Sequence, residues 1–545
     1  MDGPVTTSAS LRTANQPPPL EGYDLFSQDR PLVEAFRREG GGRREDECAA
    51  FGRLCGGEPL ELGRLANEHP PVLRAFDRFG ERIDEVEFHP AWHELMRIGV
   101  ENGVHAFPWI DPAPGGHVVR ATRFMTLAQA EAGVGCPLSM TYSAVPALRA
   151  DEVVAAAWAR MLGNLVYDPV IRPAGEKAGA LMGMALTERQ GGSDVRANET
   201  RAQPAGDGGY LLNGEKWFCS APMCDAFLVL AQAPGGLTCF VLTRIRPSGT
   251  RNGFHLRRLK DKLGNRSNAS AELELRDAWA LRLGDEGRGV ATIIEMVAHT
   301  RLDCVLGSTA LVRRAVAEAT HHAAHRSAFG KLLSEHPLHL NVLADLCLDS
   351  EAATATALRL ARAVDEDDHA FRRLATTVSK YWICKATPPL VAEALECIGG
   401  NGYVEESVLP RLFRESPLNS LWEGAGNVNA LDLWRAADRE QESVEALLAE
   451  IALAAGGDAR LDEALARLRM ELFDGREREH RARRVSGLAA LCLQASLLVR
   501  HAPPEVADAF CATRLGDDGG RAYGTLPRGV DCAAIVERHR PRLTS

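Results

Sequence analysis

The feature that most restricts this chain is a change of texture that occurs twice. Between Gly183 and about Leu283 the sequence breaks into short apolar runs, YLLNGEKWFC, AFLVLAQ, LTCFVLT and AELELRD, bounded by Gly, Pro, Asn and Asp. Runs of that length with such punctuation signal strands and turns. On both sides the pattern is helical. Residues from about Pro31 to Leu181 are rich in Ala, Leu, Glu and Arg, with helical spacing in EVVAAAWARMLGNLV. From Gly289 to Asp438 long segments such as GVATIIEMVAHTRLDCVLGSTALVRRAVAEATHHAAHR repeat that spacing. Helices, then strands, then helices do not make a doubly wound sheet, which needs the two to alternate. The expected fold is mainly α with a small β-domain. Its units read as a loosely ordered arm over 1–30, a helical domain over 31–182, the β-domain over 183–285, a helical bundle over 286–439 and a C-terminal helical extension over 440–545.

That order also limits what the chain can bind. No GxGxxG follows a strand and no GxxxxGK[ST] is present, so neither a Rossmann site nor a P-loop is available. The N-terminal MDGPVTTSASLRTANQPPPL has no apolar core of a secretory signal. VSGLAALCLQASLLV is too short and too polar for a membrane span and reads as a buried helix. Thirteen cysteines from Cys48 to Cys532 include no CxxC pair, which points to a reducing cytoplasm rather than to zinc or a disulfide framework. The pair His321 and His325 lacks an acidic or Cys neighbour, so no metal is expected.

Net charge is −10, which excludes a protein that coats nucleic acid with its whole surface. The charge is uneven, however: Arg476 to Ser545 holds 12 Arg against 8 acidic residues, and no Lys follows Lys385. REREHRARR groups Arg476, Arg478, Arg481, Arg483 and Arg484, a candidate set of DNA phosphate contacts. The same run reads as a solvated helix in which Glu477 and Arg481 pair.

Two stretches carry candidate chemistry. LWEGAGN, Leu421 to Asn427, sets one carboxylate, Glu423, beside Trp422 and small residues with no Lys or Arg close in sequence. Buried there, it would have a raised pKa suited to general-base work; solvated, it is an ordinary Glu at a helix start. TERQGGSDVRANETRA, Thr187 to Ala202, combines hydroxyls with two glycines, in a turn whose amides can face an anion. It reads equally as a hydrophilic loop.

Together these pieces resemble the acyl-CoA dehydrogenase flavoprotein family. The resemblance is carried in order by Thr187-Glu188 through Gly192-Ser193-Asp194, by KWFCS from Lys216 to Ser220, by RSAFG with Arg326 and Phe329, by GGNGY from Gly399 to Tyr403, and by Glu423-Gly424. ELGRLANEHPP, FHPAWHELM, RLKDKLGNRSNAS, the segment from Gly399 to Asn427 and the C-terminal extension are similar to its alkylation-response branch. The resemblance implies a helical domain, a β-barrel-like domain and a helical bundle, extended at the C-terminus. It also implies FAD, a homotetramer, double-stranded DNA bound by the extension, and a site able to take an acyl-CoA.

Residue by residue, the resemblance implies that Met184, Leu186, Thr187, Gly192 and Ser193 line the flavin, while Trp217, Phe218, Cys219 and Ser220 pack against its ring. Arg326 and Phe329, with Gly399 and Gly400, would reach the cofactor across a subunit boundary. Trp422, Gly424 and Asn427 would complete the pocket, with Glu423 as catalytic base. Some relatives carry the base on an earlier helix; Thr300 stands there, before Arg301, which leaves Glu423. Cys219 and Ala425 replace threonines that many relatives place near the flavin. Two functions follow from the resemblance. One is an alkylation-response flavoprotein that binds DNA and keeps a weak dehydrogenase site. The other is a dehydrogenase of a short or branched acyl-CoA with no DNA role.

Overall fold

The computed structural model describes residues 15–543. Its fold is mainly helical with one β-domain in the middle. The N-terminal domain runs from the helix Arg30–Arg38 to the helix Glu152–Leu162. Asp29 and Asp151 begin these two helices by accepting N–H groups of the first turn, at 3.2 Å from Leu32 and 3.0 Å from Val153. A hairpin of Val72–Phe76 with Arg82–Glu87 interrupts the helices and was not legible in the helical spacing. The segment expected to be a loose arm differs from residue 15 onward. Tyr23, Leu25 and Phe26 are core residues, and Arg314 donates to Leu20 O at 3.3 Å. Residues 1–14 lie outside the described residues.

The β-domain is a seven-stranded sheet. Strand Ala226–Ala233 pairs with Met182–Ala185, with Arg201–Pro204 and with Gly236–Thr243, while Tyr210–Ser220 and Ser270–Leu283 complete the circuit. The circuit closes on itself, so these strands form a small barrel with Phe254–Leu259 added outside. AFLVLAQ reads as a continuous apolar run because its strand is covered on both faces.

Three long helices form the bundle: Gly289–His325, Pro337–Asp365 and His369–Ile398. The first spans about 55 Å at 1.5 Å per residue. Arg120 of the N-terminal domain locks onto it, with Nη2 at 2.8 Å from Asp303 Oδ2, Nε at 2.8 Å from Val104 O, and the guanidinium over the Tyr142 ring. Both members of this ion pair are buried. Removing either alone would strand a charge in the core.

The C-terminal extension is built into this bundle. Its helix Arg478–His501, which contains the apolar run noted above, is mostly buried and packs against His369–Ile398 and Gly426–Arg439. The last helix, Cys532–His539, ties back through Arg538, whose Nε lies 3.0 Å from Glu351 Oε2 and whose Nη1 lies 2.9 Å from Glu34 Oε1.

Candidate active site

One wall of the site is the loop after Met182–Ala185, set against strand Tyr210–Ser220. Glu188 holds the loop in shape. Its carboxylate accepts the Glu199 N–H at 2.6 Å and the Lys216 Nζ at 2.7 Å, and Lys216 also donates to Leu230 O at 2.7 Å. Both side chains are buried. Burial alone would raise the Glu188 pKa, but Lys216 and the hydrogen bonds it accepts hold it below the usual range. Burial pushes the Lys216 ammonium down, against Glu188. Trp217 N–H donates to Thr187 O at 2.8 Å. A Cβ on Gly192 would fall 2.4 Å from Thr187 Oγ1, so this turn requires the glycine. Met184, Leu186 and Thr187 are half-buried along it, and Ser193 is exposed.

A bulge decides which side chains of KWFCS face outward. Lys216 pairs with Leu273 and Cys219 with Ala271, so Trp217 and Phe218 together stand opposite Glu272. The extra residue reverses the alternation. Phe218 is 48% exposed, and the Lys260 ammonium lies 3.7 Å from the Trp217 ring centre and 4.6 Å from that of Phe218. Cys219 is fully buried, and burial pushes its thiol up. This corrects the expectation that Cys219 packs on the ring: the half-buried Ser220 carries the hydroxyl on the open side.

The second wall is the helix Gly135–Leu148, pinned to the β-domain where the Thr141 hydroxyl accepts the Met182 N–H at 3.1 Å. Near its start, burial pushes the Cys136 thiol up to about 12, against the charge of Lys262 and the side chains of Asn268 and Ser220, with the Glu423 charge acting in the same direction as burial. Lys262 Nζ donates to Asn268 O at 2.6 Å and to Ser270 Oγ at 3.1 Å, and burial lowers its pKa to about 8. Asn268 is buried with neither side-chain polar atom partnered. A buried amide of that kind needs a donor and an acceptor from a ligand or water.

Glu423 closes the site. It takes a left-handed φ of 57°, followed by Gly424 at 95°. Such a conformation at a non-Gly residue costs about 1–3 kcal/mol. The turn is held from behind: Arg301 Nε donates to Glu423 O at 3.0 Å, Lys380 Nζ to Gly424 O at 2.9 Å, and Asn429 Nδ2 also to Gly424 O. Arg301 is fixed in turn by Asp432 at 2.9 Å. The two cations therefore grip carbonyls, and the carboxylate has no ion pair among the described residues. Burial raises its pKa, against the Thr300 hydroxyl, Lys380 and Arg301. Trp422 stands half-buried beside it, its Nε1 donating to Asn419 Oδ1 at 2.9 Å.

Not every expected site residue joins this cluster. Arg326 caps the helix that carries Thr300 and Arg301, about 38 Å further along its axis. Gly399 and Gly400 come directly after the helix of Lys380, about 29 Å along its axis from Lys380. Phe329 tips a two-residue hairpin loop and is 98% exposed. Within one chain, none of these reaches Glu423. Of the arginine run, Arg476 pairs with Asp474 at 2.9 Å and Arg478 with Asp438 at 2.7 Å, while Arg481 and Arg484 share Glu471. Arg483 turns to the site instead, its Nε 2.7 Å from Asn427 Oδ1. Cys136 and Lys380 were missed in the sequence. Lys380 had a signal, as a lone cation in the apolar stretch TVSKYWIC.

The residues fit a flavin dinucleotide in their glycine turn, their outward aromatic pair and the unpartnered Asn268. Comparison with known proteins agrees with the geometry. Residues 15–169 match the family model described as the adaptive response protein AidB N-terminal domain. Residues 183–278 match the acyl-CoA dehydrogenase middle domain, and residues 287–437 its C-terminal domain. The chain is 45% identical to AidB of Escherichia coli (strain K12), over 93% of this chain and 94% of that one. The crystal structure of Caenorhabditis elegans ACDH-11 in complex with C11-CoA superposes with a TM-score of 0.84 at 28% identity, covering 93% of this chain and 94% of that one. The acyl-CoA dehydrogenase of Bacillus anthracis complexed with FAD shares the fold, with a TM-score of 0.62 at 19% identity over 82% of this chain and 81% of that one.

Proposed function

This chain belongs to the acyl-CoA dehydrogenase family, and from that premise we propose that its site oxidises an acyl-CoA thioester between Cα and Cβ. The cofactor is FAD. When bound, FAD supplies the acceptor for the hydride that leaves Cβ. Glu423 takes the proton from Cα, so both C–H bonds break and the Cα=Cβ bond forms. The observation that carries this reading is the Glu423 carboxylate itself, raised in pKa by burial and without an ion pair among the described residues, on a turn whose backbone is gripped by Arg301 and Lys380. Gripping the backbone of the turn with Arg301 and Lys380 fixes the base without neutralising it. A relative solved with C11-CoA supports an acyl-CoA ligand. The test is anaerobic titration of the purified protein with acyl-CoAs of graded length and branching. The flavin absorbance should fall for at least one of them, and no loss with any would remove the dehydrogenase reading.

Assembly belongs to the same reading. Arg326 and Phe329 follow the C-terminus of Gly289–His325, and Gly399 and Gly400 that of His369–Ile398, so all four lie away from Glu423 of their own chain. In a homotetramer they would meet the cofactor of a neighbouring subunit, with Arg326 binding phosphate oxygens.

A second function is favoured by the similarity to AidB over nearly the whole chain: binding of double-stranded DNA by the C-terminal extension in the response to alkylation damage, in the cytoplasm. Arg476 and Arg484 are 88% and 67% exposed, though each already faces a carboxylate. Binding would exchange those carboxylates for phosphates, release counterions and weaken steeply with salt.

A further inference from the structure

We propose that Arg483, carried by the C-terminal extension, is a cofactor-binding residue that contacts the diphosphate of the flavin nucleotide. The inference rests on the reading of Gly424 to Asn427 as part of the FAD pocket. The helix Arg478–His501 is fixed against Gly426–Arg439 where Trp434 Nε1 donates to Arg478 O at 2.6 Å. From that anchor Arg483 reaches the turn that bears Glu423, with its Nε bonded to Asn427 Oδ1. Its neighbours Arg476, Arg478, Arg481 and Arg484 all face carboxylates. Arg483 faces none among the described residues, and its Nη groups have no acceptor there. Its one bond leaves most of the guanidinium fork open.

A second cation stands at the same spot. A Cβ on Gly426 would lie 3.1 Å from Lys385 Cε, 3.6 Å from Lys385 Nζ and 3.7 Å from Arg483 Nη2. Lys385 also lacks an ion pair among the described residues. Two cations thus flank a residue without a side chain, and their mutual repulsion is relieved by an anion between them. In the same turn the Oδ1 of Asn429, which is 1% exposed, is buried without a donor. A ligand presenting phosphate oxygens and a hydroxyl, as a nucleoside diphosphate does, answers both demands. FAD and acyl-CoA share that chemistry. Asn427, to which Arg483 is bonded, assigns the phosphates to FAD.

The experiment uses full-length protein with FAD bound, following flavin release by fluorescence on dilution and obtaining Kd by re-titration. Arg483→Met should raise the FAD Kd about tenfold to a hundredfold, the loss of a hydrogen bond to a charged group. Arg483→Lys should recover part of it, because a charge without the planar fork remains. Arg469→Ala, which removes an exposed cation from the adjacent helix Ala459–Phe473, should stay within about twofold. Repeating Arg483→Met in an Asn427→Ala background separates contact from positioning: an arginine that only orients Asn427 has no further effect there, whereas a phosphate contact still does. FAD retention unchanged in Arg483→Met, or weakened only through Asn427, would overturn the proposal. So would a loss confined to acyl-CoA titration, since the diphosphate would then be that of the substrate. A wild type that takes up no FAD would remove the cofactor reading and this inference with it.

Discussion

Replacing Lys216 with Met tests whether the loop after Met182–Ala185, the proposed flavin loop, is held by one buried ion pair. Met keeps the length of the side chain and removes the ammonium that lies 2.7 Å from both Glu188 Oε1 and Leu230 O. The Glu188 carboxylate, 4% exposed, is then charged and buried without its partner. Breaking a pair of that kind costs about 3–5 kcal/mol. The protein can limit the loss by protonating Glu188. For an ordinary glutamate with a pKa near 4.3, that costs about 1.36 kcal/mol per pH unit, or about 3.7 kcal/mol at pH 7. The expected cost is therefore about 3–4 kcal/mol at pH 7, falling to about 1 kcal/mol at pH 5. In the wild type the folded Glu188 pKa is lowered, so its contribution is lost only below that window and the pH dependence belongs to the variant. Urea unfolding at pH 7 and pH 5 reads both values, and flavin release should accelerate because Thr187, Gly192 and Ser193 ride on the loop. Adding Glu188→Gln should recover much of the loss, since the amide oxygen still accepts the Glu199 N–H while the stranded charge is gone. A cost below about 1 kcal/mol at pH 7, or one equal at both pH values, would show that Lys216 is not what holds the loop.

Glu423→Gln should abolish acyl-CoA-dependent bleaching while FAD stays bound, and bleaching at the wild-type rate would dismiss Glu423 as the base. In the wild type the reaction should appear as pH rises through a value above the ordinary carboxylate range, because burial raises the Glu423 pKa. The same shift has the opposite sign for stability: the contribution of Glu423 is present below its unfolded pKa and lost as pH rises through the folded one. Glu423→Gln should therefore gain on the wild type in thermal unfolding at neutral pH but not at pH 4. Arg326→Ala should weaken FAD retention by about 1.5–3 kcal/mol, and mixing it with Glu423→Gln should restore some sites if the two residues serve one cofactor from different subunits. Arg476→Glu with Arg484→Glu should reduce both duplex DNA affinity and its salt slope in anisotropy titrations, without loss of flavin. Deleting residues 440–545 is a poor substitute, because the helix Arg478–His501 is part of the bundle core.

What the sequence discloses and what it hides divides along one physical line. Texture is local, so the order of helices, barrel and helices could be read from punctuation and spacing, and the tight turn at Gly192 could be read from its glycine pair. The surroundings of Glu423 are not local. LWEGAGN contains no cation, yet Arg301 and Lys380 arrive from two bundle helices and bind the carbonyls beside the carboxylate. No spacing rule distinguishes that arrangement from a salt bridge that would have left the carboxylate acidic and useless as a base. Cys219 fails for a related reason. Alternation assigns inward and outward faces only while the register holds, and the bulge at Trp217 and Phe218 depends on which residues of Ser270–Leu283 stand opposite. Arg483 is the sharpest case. In REREHRARR it is one of five similar cations, and only the packing of its helix on Gly426–Arg439 separates it from the four that face carboxylates. Charge counted along a chain therefore predicts a patch. Whether a given arginine serves DNA, a carboxylate or a cofactor phosphate is decided by what tertiary packing places within about 3 Å of its fork.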